Sequence, residues 1–126
     1  MAHATAHIAD IAWRTEISTG RHSLIADEPP ALGGQGAGPA PYDLLLASLG
    51  ACTAITLKMY AERKGWPLQS LDVDLRLSGT DERRITRTLR ITGLDDTQQA
   101  RLADIAERTP VTLTLKSGLP IDTKLG

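Results

Sequence analysis

Apolar residues alternate with polar ones in two stretches of the chain and run almost unbroken through a third. These patterns set the expected architecture. Between residues 5 and 17, Ala9, Ile11, Trp13 and Ile17 share one parity, with Asp10, Arg14 and Glu16 on the other. That is the signature of a strand with one buried face. Ser18, Thr19 and Gly20 form a turn signal, and Arg21 to Ala26 reads as the returning strand of a hairpin. In the second alternating stretch, Leu71, Val73, Leu75 and Leu77 are answered by Ile85, Leu89 and Ile91. Gly79 to Glu82 lies between them, so a second hairpin with one apolar and one charged face is expected. Arg87 breaks its apolar parity, which places it at a sheet margin or facing a second chain.

Between the hairpins lies PYDLLLASLGACTAITLKMYAERKG, Pro41 to Gly65. Pro41 suits a first helical turn, Asp43 suits the positive end of the helix dipole, and Gly65, Trp66 and Pro67 stop the helix. Leu44, Leu45, Leu46, Leu49, Ile55 and Leu57 cover nearly its whole circumference. One sheet covers one side of a helix, so a second copy of the chain is the expected cover for the other. Asp95 and Gln98 form a capping pair for an amphipathic helix to about Arg108, with Leu102, Ile105 and Ala106 inward. VTLTLKSG alternates like a strand, although Pro110 could equally open a short helix, and PIDTKL is expected to close the fold as a strand. The fold class is α+β: N-terminal hairpin, long central buried helix, second hairpin, amphipathic helix and closing strand, in one domain spanning 1–126.

The hydrophobic fraction of 41% and charged fraction of 23% belong to a soluble globular domain. A net charge of −1 with interspersed signs gives no attraction for nucleic acid or an anionic membrane, and 3% aromatics leave no base-stacking platform. The run from Leu44 to Leu57 is too short and too polar for a membrane span. No secretory signal is visible, and a single cysteine does not fit a disulfide-reliant compartment, so the cytoplasm is expected.

The loop GGQGAGP before the helix lacks the Lys-Ser/Thr of a phosphate-binding loop and does not directly follow a strand in a βαβ unit. It reads as a connector or as a loop that shapes a site. His3, His7 and His22 show no zinc spacing, so neither a metal nor a cofactor is expected. Cys52, the one cysteine, is either a small core residue among Gly50, Ala51, Thr53 and Ala54 or a nucleophile. It lies some three turns inside its own helix, where the dipole offers little. An activating cation must come from elsewhere, with Arg21 and Arg14 as candidates.

GPAPYDLLLASLGACT, preceded by GRHSLIADEPPALGG and followed by a basic helix end and GWPLQSLDVDL, resembles the OsmC/Ohr family of osmotically induced and organic hydroperoxide resistance proteins. The resemblance spans essentially the whole chain. It implies an intertwined homodimer and a thiol peroxidase acting in oxidative stress defence. A helix cysteine attacks an organic hydroperoxide, an Arg from the N-terminal hairpin region assists, and a Glu orients that Arg. Cys52 matches the attacking cysteine and Arg21 the assisting Arg. The acid that follows the proline directly in the family comes one residue later here, as Asp43 after Tyr42. Tyr42 and His22 are candidates to replace it, and Leu45, Leu49 and Ile55 would form an apolar flank for the substrate. The family's resolving Cys-Pro-Val-Ser becomes Thr109-Pro110-Val111-Thr112, and it favours a helix start at Pro110. The resemblance is therefore to a single-cysteine branch, reduced by an external thiol such as a dihydrolipoyl-type dithiol. The alternative is a non-catalytic dimeric module that binds a small apolar thiol or acyl ligand, or a protein.

Overall fold

The computed structural model describes residues 1–126. In chain order the elements are β1 (Thr5–Ile8), β2 (Thr15–Thr19), β3 (His22–Ala26), α1 (Pro41–Arg63), β4 (Ser70–Ser78), β5 (Arg84–Thr92), α2 (Asp96–Ala106) and α3 (Pro110–Ser117). This is the α+β class that the patterning predicts. By internal packing the chain divides into two compact units, Met1–Leu45 and Leu46–Gly126.

The first unit holds an antiparallel sheet in the order β1-β2-β3. The continuous strand expected over residues 5–17 is instead a hairpin of its own: Thr5 pairs with Ser18 and Ile8 with Thr15. The chain reverses between them, and the Arg14 N–H donates to the Ile11 carbonyl at 3.0 Å. The alternation of Ala9, Ile11 and Trp13 therefore crosses a turn, where period two carries no structural meaning. Trp13 is held by two bonds outside the sheet. Its backbone N–H reaches Asp27 Oδ1 at 3.2 Å and its indole N–H reaches the Leu32 carbonyl at 3.2 Å. The β2–β3 turn has Gly20 and Arg21 at its tip, with Thr19 opposite His22. Gly20 has φ 59°, the left-handed value that a two-residue II′ turn requires at its first central position.

Asp27 organises the Gly-rich loop. It is buried. Its Oδ1 accepts the N–H groups of Trp13 and Glu28 at 3.2 and 2.8 Å, and its Oδ2 those of Gln35 and Ala37 at 3.2 and 3.1 Å. Two loop amides that a phosphate would need are thus already spent on a carboxylate. Gly34 and Gly38 allow this close fold, because a Cβ at Gly34 would overlap the Glu28 carbonyl and one at Gly38 the Ile25 carbonyl.

The Ala37 N–H, with those of Glu28, Gln35 and Trp13, holds the Asp27 carboxyl below its ordinary value of 3.8, although burial pushes the other way. A carboxyl depressed on folding stabilises the fold fully above its unfolded value and loses that contribution as pH falls through the lower folded value. An Asp27→Asn side chain has one oxygen acceptor, so in either orientation two of the four N–H groups face an NH₂. The variant should melt at a lower temperature at neutral pH. Its melting temperature should also fall less between pH 5 and pH 2 than that of the parent, measured by circular dichroism. Parallel acid limbs for the two proteins would refute this role.

In the second unit β4 and β5 form the expected antiparallel hairpin, with Val73 opposite Leu89 and Leu77 opposite Ile85. Its apolar face packs with Tyr60, Trp66 and Ile105 on a core of Leu57, Leu102 and Ala106. The capping box expected from Asp95 and Gln98 is present: Gln98 N–H to Asp95 Oδ1 is 2.8 Å, and Asp95 N–H to Gln98 Oε1 is 3.0 Å. α1 ends on Gly65 at φ 68°, with the Trp66 N–H returning to the Ala61 carbonyl at 2.8 Å, the six-to-one bond of a Schellman end.

Two further expectations change. α1 is 23 residues, long and apolar enough by length and composition to cross a bilayer, although the Leu44–Leu57 run alone is not. Its buried residues nevertheless form one i, i+4 stripe of Leu49, Thr53, Leu57 and Ala61, while Ile55 and Met59 are more than half exposed. A stripe with a polar Thr in it is how a core helix of a globular domain is built. The closing strand is absent: residues 119–126 have no regular structure, and Leu119, Ile121 and Leu125 are exposed. A strand exists only where its backbone groups find a ladder, and PIDTKL finds none within this chain.

Candidate functional site

The ambiguous segment after Pro110 is a helix. Thr109 takes an extended N-cap conformation (φ −67°, ψ 151°), Pro110 occupies the first helical position and Gly118 ends the helix at φ 76°. Proline's missing N–H and fixed φ suit that first position. The TLTL alternation inside it has no strand to pair with, and the helix buries Thr112 while leaving Leu113 and Leu115 exposed.

The start of α3 meets the middle of α1 at the cysteine. Val111 N–H donates to Cys52 Sγ at 3.5 Å, and Cys52 is partly buried and unbridged. The first N–H groups of a helix have no partner within it. Here one of them is aimed at sulfur. The dipole of α1 is remote from Cys52, as its position in that helix predicts, but tertiary packing supplies a second helix start that no local reading of 41–65 could reveal.

Arg87 occupies the apolar face of β5 opposite Leu75, its side chain 12% exposed. Nη1 donates to Thr53 Oγ1 at 3.0 Å and to Thr112 Oγ1 at 2.8 Å. Nη2 donates to the Ala106 carbonyl at 2.8 Å and to Glu107 Oε2 at 3.1 Å. Thr112 passes its own proton to the Ala106 carbonyl at 3.3 Å, so the 2.6 Å contact between Thr109 and Thr112 is donated by Thr109. Thr53 donates to the Leu49 carbonyl at 2.7 Å. No buried side-chain nitrogen or oxygen in the chain lacks a partner. The parity breach at Arg87 was visible in the sequence, but its cause was not, because its partners come from three other elements.

Of the residues singled out from sequence, Cys52 and Leu49 lie in this second unit. Leu49 is buried and lines a groove of about 410 Å³. Ile85 and Leu115 add apolar walls to it, and Arg84 and Lys116 a basic rim. Arg21, His22, Tyr42 and Asp43 lie in the first unit and are exposed. Arg21 is at the β2–β3 turn and His22 begins β3. Tyr42 and Asp43 are in the first turn of α1, where Asp43 Oδ2 accepts the Ala40 N–H at 3.2 Å. A groove of about 740 Å³ beside that sheet is lined by His7, Glu16, Ile17 and Leu24, among others, and by none of those four. No group of three or more His, Cys, Asp or Glu side chains is gathered where it could hold a metal.

These elements in this order define an α+β fold shared with solved structures. One is an osmotic stress induced and detoxification response protein from Psychrobacter arcticus (23% identity, TM-score 0.76, covering 95% of this chain and 90% of that one). Another is an organic hydroperoxide resistance protein from Legionella pneumophila, described as a predicted redox protein (24% identity, TM-score 0.68, 92% and 89%). A third is a Vibrio cholerae organic hydroperoxide resistance protein with captopril in one of its active sites (20% identity, TM-score 0.72, 92% and 84%). No curated protein matches the chain. The family model for OsmC-like proteins matches residues 34–124, and the chain belongs to the OsmC-like family.

Proposed function

We propose that this chain is a thiol-dependent organic hydroperoxide reductase with Cys52 as its nucleophile. The observation that carries the reading is the Val111 N–H at the start of α3, 3.5 Å from Cys52 Sγ. A backbone N–H at a helix start has no partner inside its own helix and is free to hold an attacking sulfur in place. The thiolate attacks the distal oxygen of ROOH, the O–O bond breaks, and the alkoxide leaves with a proton as ROH. Sulfur is oxidised to a sulfenic acid. One external thiol then condenses with it, releasing water and leaving a mixed disulfide. A second thiol reduces that disulfide and regenerates Cys52. In this reading Arg21 assists the departing oxygen and Asp43, Tyr42 and His22 complete its surroundings. The groove at Leu49 takes the apolar part of the substrate. The half-exposed Ile55 and Met59 of α1 support a homodimer, and the single reduced cysteine supports the cytoplasm.

The test is intact-mass spectrometry after stoichiometric cumene hydroperoxide with dimedone as the sulfenic acid trap. One adduct is expected on the parent protein and none on Cys52→Ser. Equal peroxide consumption by the two proteins would refute the nucleophile. A second reading, a dimeric module that binds a small thiol or acyl ligand, is favoured by Thr109, whose hydroxyl is committed to Thr112 at the position of the family's second cysteine. An unmodified parent protein would support that reading.

A further inference from the structure

We infer that Arg87 is the positioning residue of Cys52: one guanidinium nitrogen ties the residue after the sulfur to the residue after its N–H donor. Nη1 has two hydrogens. One goes to Thr53 Oγ1, next in the chain to Cys52, and the other to Thr112 Oγ1, next in the chain to Val111. The Val111 N–H to Sγ contact is therefore closed by a second link, bridged by Nη1, one residue further along on each side. Sulfur is a weak acceptor, so this single bond, at 3.5 Å of ordinary length for N–H···S, does not by itself hold two helices in register. The two Nη1 bonds, at 3.0 and 2.8 Å, are charge-assisted and stronger than neutral ones.

Nη2 fixes the remaining freedom. It holds the Ala106 carbonyl at the end of α2 and the Glu107 carboxylate in the link that leads to α3. All four terminal N–H donors of Arg87 are thus used, on α1, on α3 and on the α2–α3 connection. A lysine at this position would keep the charge but has one nitrogen with three protons and no planar fork, so it cannot span these partners. An arginine on an apolar sheet face costs desolvation. Its four hydrogen bonds there, to Thr53, Thr112, Ala106 and Glu107, offset that cost.

The kinetic arm of this inference rests on the peroxidase reading, whereas its spectroscopic and alkylation arms do not. The variants are Arg87→Lys, Arg87→Met and Thr112→Val, each checked for the parental circular dichroism spectrum. Val111 amide exchange is compared with that of Lys116 in the last turn of the same helix, and the rate of Cys52 alkylation by iodoacetamide is followed. Selective loss of Val111 protection is expected, with alkylation and peroxide oxidation of Cys52 slowed about tenfold or more, since small misplacements of reacting groups have effects of that order. Thr112→Val removes one Nη1 acceptor and leaves Arg87 in place, so it should show a smaller change of the same kind and keeps the test open if Arg87→Met does not fold. Folded Arg87 variants with unchanged Val111 protection and parental alkylation would overturn the inference. A parent protein inert to hydroperoxide, with alkylation still slowed in the variants, would remove the peroxidase reading and leave the positioning role standing.

Discussion

Leu57→Ala should lower the unfolding free energy by about 2–5 kcal/mol, the range for deleting a fully buried leucine whose surroundings cannot collapse. Leu57 is 0% exposed and shares the core of the second unit with Leu102 and Ala106 of α2. It lies one turn beyond Thr53 on the buried stripe of α1. The space it fills is bounded by one helix and one sheet face, each held by its own backbone bonds, so little relaxation is available. Urea unfolding with an unchanged denaturant slope and a lower midpoint is the expected record. A loss below about 1 kcal/mol, the ordinary effect of a substitution anywhere in a protein, would mean that α1 and α2 do not meet at Leu57.

Under the proposed peroxidase chemistry, Thr109→Cys should replace the external thiol with an internal disulfide. Thr109 is fully buried and caps the helix whose first N–H, that of Val111, already touches Cys52 Sγ. A thiol two residues before that contact lies on the same short segment that meets Cys52, and the variant tests whether the two Cα atoms can reach the roughly 4.4–6.8 Å separation that a disulfide needs. One equivalent of hydroperoxide should produce a species lighter by two hydrogens, insensitive to dimedone and restored by a dithiol. The Thr109 hydroxyl bond to Thr112 is lost, but Thr112 keeps both Arg87 and the Ala106 carbonyl. The fold should therefore survive. A dimedone adduct that persists in the variant would show that the two positions cannot approach each other.

Elements with a strict period and a local stop signal were legible in the sequence. The hairpin from Leu71 to Ile91, the capping box at Asp95 and the helix end at Gly65 follow from residues that sit within a few positions of one another. The misreadings have one common cause. Between Ala9 and Trp13 the alternation was real, but the geometry there is decided by Asp27, fourteen residues beyond Trp13. In PIDTKL the pattern was that of a strand, and no partner strand exists in the chain. The site divides in the same way. Cys52 stands out by composition alone, whereas the Val111 N–H is a backbone group with no side-chain signature. Arg87 announced itself only as a breach of parity, because a hydrogen-bond hub is defined by its partners, and these lie 19 to 34 positions away.

The carboxylate of Asp27 holds amides from both ends of a loop in one knot: Trp13 and Glu28 on one oxygen, Gln35 and Ala37 on the other. All four amides share one carboxylate, so a movement of the Asp27 side chain breaks their bonds together. In deuterium exchange they should behave as one cooperative opening unit with a common protection factor, although they span 24 positions of sequence and three of them belong to a segment without strand or α-helix. A glycine-rich loop that looks, by composition, like the softest part of the chain would then exchange as slowly as a short element of secondary structure.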